Sequence, residues 1–122
     1  MAEKDLFGRA GEDRAARYLQ SLGYAVLERN WRCTAGEIDL VVGRANELVI
    51  VEVKTRRSER FGHPFEAIDA AKRARLWRLG NAWVAQHRRQ AQGRQMRIDA
   101  IGVTGADPET ALLEHLEDVD VA

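Results

Sequence analysis

Apolar positions along the chain recur in two different periods, and the switches between them set out an order of elements. From Asp5 to Leu22, the residues Phe7, Gly11, Ala15, Tyr18, Leu19 and Leu22 fall at helical spacing, and Gly23 stops the helix. YAVLERN then reads as a strand from Tyr24 to Arg29, with Asn30 opening a turn. EIDLVV and ELVIVEVKT read as a second and third strand joined through GRAN. After the polar loop RRSERFGH, Pro64 stands in the first turn of a long helix, where proline is tolerated. Phe65, Ile68, Ala71, Leu76, Leu79 and Trp83 give that helix an apolar stripe to about His87. RRQAQGRQ is a second polar loop, MRIDAIGV a fourth strand, and ALLEHLED predicts a fifth strand at an edge.

The order α-β-β-β-α-β-β predicts an α/β sandwich with a mixed sheet, in one domain spanning residues 1–122. LVIV is apolar on both faces, so the third strand is expected at the centre, covered on both sides. GRAGED does not have the spacing of a phosphate-cradling glycine loop, which argues against a nucleotide-binding doubly wound fold.

Composition places the chain among ordinary globular proteins, with 45% hydrophobic and 31% charged residues. A single cysteine, Cys33, excludes an internal disulfide, reads as a packing residue and fits a reducing cytoplasm. The opening stretch MAEKDLFGRAGEDRAARYL holds no apolar segment of signal-peptide type, and no run approaches the roughly 18 apolar residues of a membrane span. Net charge is zero but unevenly spread. Residues 52–97 carry 12 Lys/Arg against 4 Asp/Glu, while residues 98–122 carry 7 acids and no Lys/Arg. A basic middle and an acidic tail from about residue 104 suggest one surface facing a polyanion, with a solvated helix face as the plainer reading of KRARLWR.

The most apolar stretch, GEIDLVVGRANELVIVEVKT, also holds four ionisable groups: Glu37 and Asp39 on one strand, Glu52 and Lys54 on the next. With a turn centred between Ala45 and Asn46, Asp39 faces Glu52 and Glu37 faces Lys54, with Cβ atoms about 5 Å apart. Two facing carboxylates in a half-buried place repel unless a cation lies between them, and a hard divalent ion, Mg²⁺ or Mn²⁺, suits oxygen donors. Glu12 lies beside the apolar stripe of the first helix, so it needs a partner that the same site could supply. Lys54 could position an attacking water or stabilise charge developing on phosphorus. Ordinary salt bridges among Glu37, Asp39, Lys54 and an arginine are the alternative.

An aspartate followed about a dozen residues later by Glu-x-Lys on the next strand, here EIDL…VEVK, resembles the PD-(D/E)xK nuclease superfamily. Three stretches, GRAGEDRAARYLQSLGYAVLERNWRCTAGEIDLVV, VEVKTRRSERFGHPFEAID and RIDAIGV, resemble the YraN-like family of small bacterial proteins, over about residues 8–103. The resemblance implies a restriction-endonuclease-like three-layer sandwich, also found in archaeal Holliday-junction resolvases. It implies Asp39, Glu52 and Lys54 as active-site residues, with Glu12 as the first-helix acid of resolvase-like members. Asp39, Glu52 and Glu12 would hold the metal, DNA would be the substrate, and a homodimer follows by analogy with resolvases that cut two strands. Glu37 belongs to the GEID signature, and Thr55 and Arg56 continue the VEVKTR run. The chain has Ala35-Gly36-Glu37-Ile38-Asp39 where other superfamily members have proline before the aspartate, and Ile98 where the family usually has an aromatic residue.

Arg56, Arg57 and Arg60, in the loop leaving the motif strand, are candidates for phosphate contact, as are Lys72 and Arg75 on the second helix. Trp31 is a candidate for stacking on a base. Trp77 and Trp83 read as core, and Asp99 as structural or close to DNA. His63, His87 and His115 have no partner at metal spacing, and a surface position is expected for His63. A non-catalytic nucleic-acid-binding module of the same fold remains the second functional class, and a protein-interaction adaptor using the acidic tail the third.

Overall fold

The computed structural model describes residues 3–119, so residues 120–122 of the acidic tail lie outside the described residues. The elements run α1 (Glu3–Ser21), β1 (Ala25–Cys33), β2 (Gly36–Arg44), β3 (Glu47–Arg56), a 3-10 helix (Pro64–Ala67), α2 (Ala70–Gln86), α3 (Arg88–Ala91), β4 (Gln95–Thr104) and β5 (Leu112–Leu116). The five strands form one sheet in the order β1-β2-β3-β4-β5. β3 and β4 are parallel and the other neighbours antiparallel, because the crossover through α2 returns the chain to the end of the sheet from which β3 started.

β3 lies in the middle of the sheet, as LVIV implies. Val49, Val51 and Val53 point into one core with Ala15, Ala16 and Leu19 of α1. Leu48 and Ile50 point into a second core with Leu76, Leu79 and Trp83 of α2. The result is three layers, helix on sheet on helix, with α1 and α2 on opposite faces. Among the described residues no helix is long and apolar enough to cross a membrane.

The expected helix from Pro64 to His87 is divided. His63 caps a short 3-10 turn by accepting from the Phe65 amide, and Asp69 caps α2 by accepting from the Lys72 amide at 2.8 Å. Asp69 itself has extended backbone, φ −81° and ψ −178°, so a helix cannot pass through it. The loop RRQAQGRQ contains the four-residue α3, and β1 runs on to Cys33 rather than ending at Arg29.

The acidic tail folds back. Asp99 is fully buried on β4 and accepts from Arg97 Nε at 2.8 Å, from the Asp118 amide at 3.0 Å, and pairs with His115 Nε2 at 2.8 Å. Burial alone would raise its carboxyl, but the hydrogen bonds from His115, Arg97 and Asp118 outweigh it and hold the group below the ordinary carboxylate range. His115 in turn meets the Tyr18 hydroxyl of α1 at 3.0 Å, so β5 is tied to both the sheet and the helix. Asp99 is therefore a structural acid, the first of the two roles expected for it.

α1 approaches β3 closely at Gly11. A Cβ there would overlap Thr55 Oγ1 and stand 2.8 Å from its Cγ2 and 2.9 Å from its Cβ. The neighbouring Glu12 is thereby held against the sheet. Gly11→Ala should lower stability by about 1–3 kcal/mol through this overlap, against a helix-propensity gain of about 1 kcal/mol. Thr55→Ala in the same chain should recover part of the loss, and chemical denaturation of the single and double variants measures both.

Candidate active site

The site begins where the sheet forks. The β2–β3 ladder runs from Arg44↔Glu47 to Leu40↔Val51 and stops there, although both strands continue. β2 runs back to Gly36 paired with β1 alone, and β3 runs on to Arg56 paired with β4 alone. The register at the turn is the expected one, and Ala45 takes φ 50° in it. The pairing of Glu37 with Lys54 expected from that register is absent, because the ladder has ended before it. The fork carries Asp39 on one prong and Glu52 and Lys54 on the other.

Strand alternation also slips at Asp39. Ile38 packs into the α2-side core, yet Leu40 packs into the α1-side core, where a regular strand would point both the same way. On the β1 side the ladder passes from Arg29↔Leu40 to Trp31↔Ile38, and Asn30 between them has φ 51°. The irregularity turns the Asp39 carboxyl into the fork. There Oδ2 accepts from the Val53 amide at 2.8 Å.

Asp39 and Glu52 share a hydrogen bond between their carboxyl groups. Desolvation, then that hydrogen bond and the Glu52 charge, push Asp39 up to about 9, with Glu12 adding and the Val53 amide opposing. Glu52 is 5% exposed, and burial alone would raise it. The hydrogen bond from Asp39, the ammonium of Lys72 and the charge of Lys54 reverse the sign and lower it. With Asp39 raised and Glu52 lowered, the pair holds one proton and one negative charge between its two carboxyl groups. Lys72 Nζ stands 2.8 Å from Glu52 Oε2. Lys72, expected as a phosphate contact, instead neutralises this buried acid.

Glu12 approaches from α1. With its amide nitrogen turned inward, Asn30 donates to Glu12 Oε1 at 3.0 Å and to Glu37 Oε1 at 3.1 Å. Burial raises Glu12 above the ordinary range; the Glu37 charge adds, while Asn30 and Arg29 oppose. Glu37 is also held by Arg32 Nε at 2.6 Å. Glu12 therefore acts on Asp39 through space and stands outside close ligating range of the pair. It lines a cleft of about 390 Å³ with Arg9, Asn30, Arg32 and Glu37. A wider groove of about 600 Å³ between Val84 on α2 and Ala91 on α3 is lined by no acid.

The other candidates are more scattered. Arg56 and Arg75 are exposed, Arg57 lies over the Phe7 ring at 4.4 Å, and Arg60 lies near the Phe61 ring at 5.7 Å. Trp31 is half-buried against the α2-side core, with its ring 6.3 Å from that of His87. His63, expected at the surface, is partly buried and pairs with Glu114 Oε1 at 2.9 Å.

Glu59, His63 and Glu114 are the one trio among the described residues whose ligating atoms lie within 4.8 Å of one another. The tautomer argues against a metal there. His63 Nδ1 accepts from the Phe65 amide, so the neutral ring carries its proton on Nε2, the atom that faces both carboxylates. This trio is a clamp on the loop. Sequence reasoning missed it, and also missed Asn30 and the Lys72–Glu52 pair. Asn30 carried the one available signal, since asparagine tolerates positive φ.

The model of the Uncharacterised protein family UPF0102 matches residues 11–103, a span that includes the fork, both acids and Glu12. A UPF0102 protein of Paenarthrobacter aurescens (strain TC1) is 50% identical over 119 residues, covering 98% of this chain and 97% of its own. UPF0102 proteins of Arthrobacter sp. (strain FB24) and Beutenbergia cavernae are each 48% identical over 119 residues, covering 98% of this chain and 99% of theirs. The chain belongs to the UPF0102, or YraN-like, family.

Proposed function

We propose that the protein is a metal-dependent endonuclease of restriction-endonuclease-like fold. It hydrolyses phosphodiester bonds of DNA in the cytoplasm, with branched or otherwise structured DNA as the substrate class to test first. The observation that carries this reading is the Asp39–Glu52 carboxyl pair at the fork, with Lys54 two residues further along the same strand. A chain that needed only a salt bridge would not bury two acids that must share a proton.

The donors fit a hard divalent ion. Asp39 and Glu52 offer only oxygen, and Glu52 Oε2 already draws a cation, the Lys72 ammonium at 2.8 Å. Mg²⁺ or Mn²⁺ held by these two residues would neutralise the phosphate and acidify a water. The chain's own groups do the rest. Lys54 forms no ion pair within hydrogen-bonding range among the described residues, so its ammonium is available to orient a water or a phosphate oxygen. Glu12 accepts from water in the cleft. The exposed Arg56 and Arg75 supply the phosphate contact. Cutting both strands of a symmetric junction would use a homodimer.

One observation favours the second reading, a non-catalytic nucleic-acid-binding module. Proton and Lys72 together already neutralise the two acids, with no ion required.

Cleavage of a four-way junction and of supercoiled plasmid with Mg²⁺ or Mn²⁺ separates the two readings. Wild type should cut, and Asp39→Ala, Glu52→Ala and Lys54→Ala should each lose at least about a hundredfold in rate. Cutting by Asp39→Ala at the wild-type rate would refute the assignment, and binding without cutting under either ion would leave the module.

The shared proton also sets a pH dependence. In the folded protein Asp39 keeps its proton up to about 9, whereas in the unfolded chain it loses it near the ordinary value of 3.8. Between those values the folded state binds more protons, so this group makes the metal-free protein less stable as pH rises, by at most about 1.4 kcal/mol per pH unit. Asp39→Asn reproduces the protonated carboxyl, donating to Glu52 and accepting from Val53. Denaturation in chelator should show this variant more stable than wild type at pH 8 and close to it at pH 4, although it cannot cut.

A further inference from the structure

Trp31, the aromatic ring that the sequence offers for stacking, is packed against the core. Another ring is not. Phe61 is 93% exposed, by far the most exposed large apolar side chain among the described residues. It sits in the loop that leaves β3 just beyond the motif residues, with Arg56, Arg57 and Arg60 on that same stretch.

The loop presents Phe61 by construction. The Gly62 amide donates to the Glu59 carbonyl at 2.9 Å, closing a turn with Arg60 and Phe61 at its tip. Gly62 takes φ 100°, and a Cβ there would overlap Glu66 Oε2, so this turn requires glycine. The Arg60 amide donates to Ser58 Oγ at 3.2 Å. His63, the next residue, is fixed from both ring nitrogens, by the Phe65 amide at 3.1 Å and Glu114 at 2.9 Å. At the other end Arg57 lies over Phe7 of α1, one turn before Gly11 and Glu12. A Glu-His-Glu clamp and a glycine turn thus hold an apolar ring out in water, on the loop that follows the end of β3 bearing Glu52 and Lys54. Hydrophobic burial alone would have drawn that ring inward.

We propose that Phe61 is a stacking platform for an unpaired nucleobase, with Arg60 and Arg56 taking the phosphates on either side of it. This rests on the nucleic-acid reading above and deepens it. In a continuous duplex every base is stacked on its neighbours and offers no face to a protein ring. A flap, gap or junction does offer one. The site therefore selects DNA in which base stacking is interrupted close to the bond to be cut. The aromatic face is indifferent to base identity, so selection is by structure and not by sequence.

The test uses the full-length protein in chelator, so that nothing is cut, at one fixed salt concentration. The probes are a single-stranded oligonucleotide carrying 2-aminopurine and a duplex of the same sequence. Wild type should quench the 2-aminopurine fluorescence on binding. Phe61→Ala should abolish the quench and weaken single-strand binding about tenfold, while duplex binding changes by less than about twofold. Phe61→Trp should keep both the quench and the affinity. The side chain is exposed, so these variants fold as wild type does, and circular dichroism verifies it. Unchanged single-strand affinity and quench in Phe61→Ala overturn this inference alone, as does an equal loss on single strand and duplex. Failure of the wild type to bind either probe overturns the inference and the nucleic-acid reading together.

Discussion

The hydrogen bond from the Val53 amide to Asp39 Oδ2 is the contact on which the site depends. Where β2 and β3 part, the backbone donor of Val53 loses the partner that a continued ladder would have supplied. A buried amide left without an acceptor costs about 1–3 kcal/mol, so something must fill the place. A side-chain carboxyl does so here, reached by a slip in strand alternation and a left-handed Asn30 on the neighbouring strand. The chain thereby opens a gap in its own sheet without an unpaired amide at the break, and the group that closes the break is also an acid aimed at Glu52. Fold and candidate chemistry meet in one atom.

Charge balance follows from that placement. Two acids at the fork cannot both ionise in a dry setting, so one keeps its proton and the other takes Lys72. The basic middle of the chain is correspondingly less available to a partner than its composition suggests. Lys72 is committed to Glu52, and Arg97 to Asp99, Glu47 and the Tyr24 hydroxyl. The basic groups that remain exposed, such as Arg56, Arg60, Arg75, Arg88 and Arg89, lie at the end of β3, on the loop after it, on α2 and on α3. A count of charges in a segment therefore overstates any single basic face, because pairing is decided by the fold.

The architecture was legible because its signals are periodic. Alternation along β2 and β3, the unbroken LVIV run and the GRAN turn fix the central hairpin and its register, and the observed pairs agree. The site was legible as a list of residues, since acids inside an apolar strand are conspicuous. Its geometry was not, because strand alternation assumes a regular strand, and the site exists where β2 departs from regularity. Glu37 illustrates the limit. Register places it opposite Lys54, but beyond the fork no register applies, and it turns to Arg32 and Asn30 instead. Long-range pairs such as Lys72–Glu52 and His63–Glu114 lie 20 and 51 residues apart, and no local period connects them.

The acidic tail shows how a compositional feature can mislead about function. Read as a run of charge, it invites a partner. In the fold the described part of it has partners within the chain: Glu109 with Arg17, Glu114 with His63, and the Asp118 amide with Asp99. Its strand adds the edge that buries Asp99, and from that edge Glu114 reaches back to hold the loop bearing Phe61. The tail is thus part of the scaffold behind the proposed site. An edge strand placed in this way lets the chain be acidic where it closes its sheet and basic where it would meet DNA, with a net charge of zero.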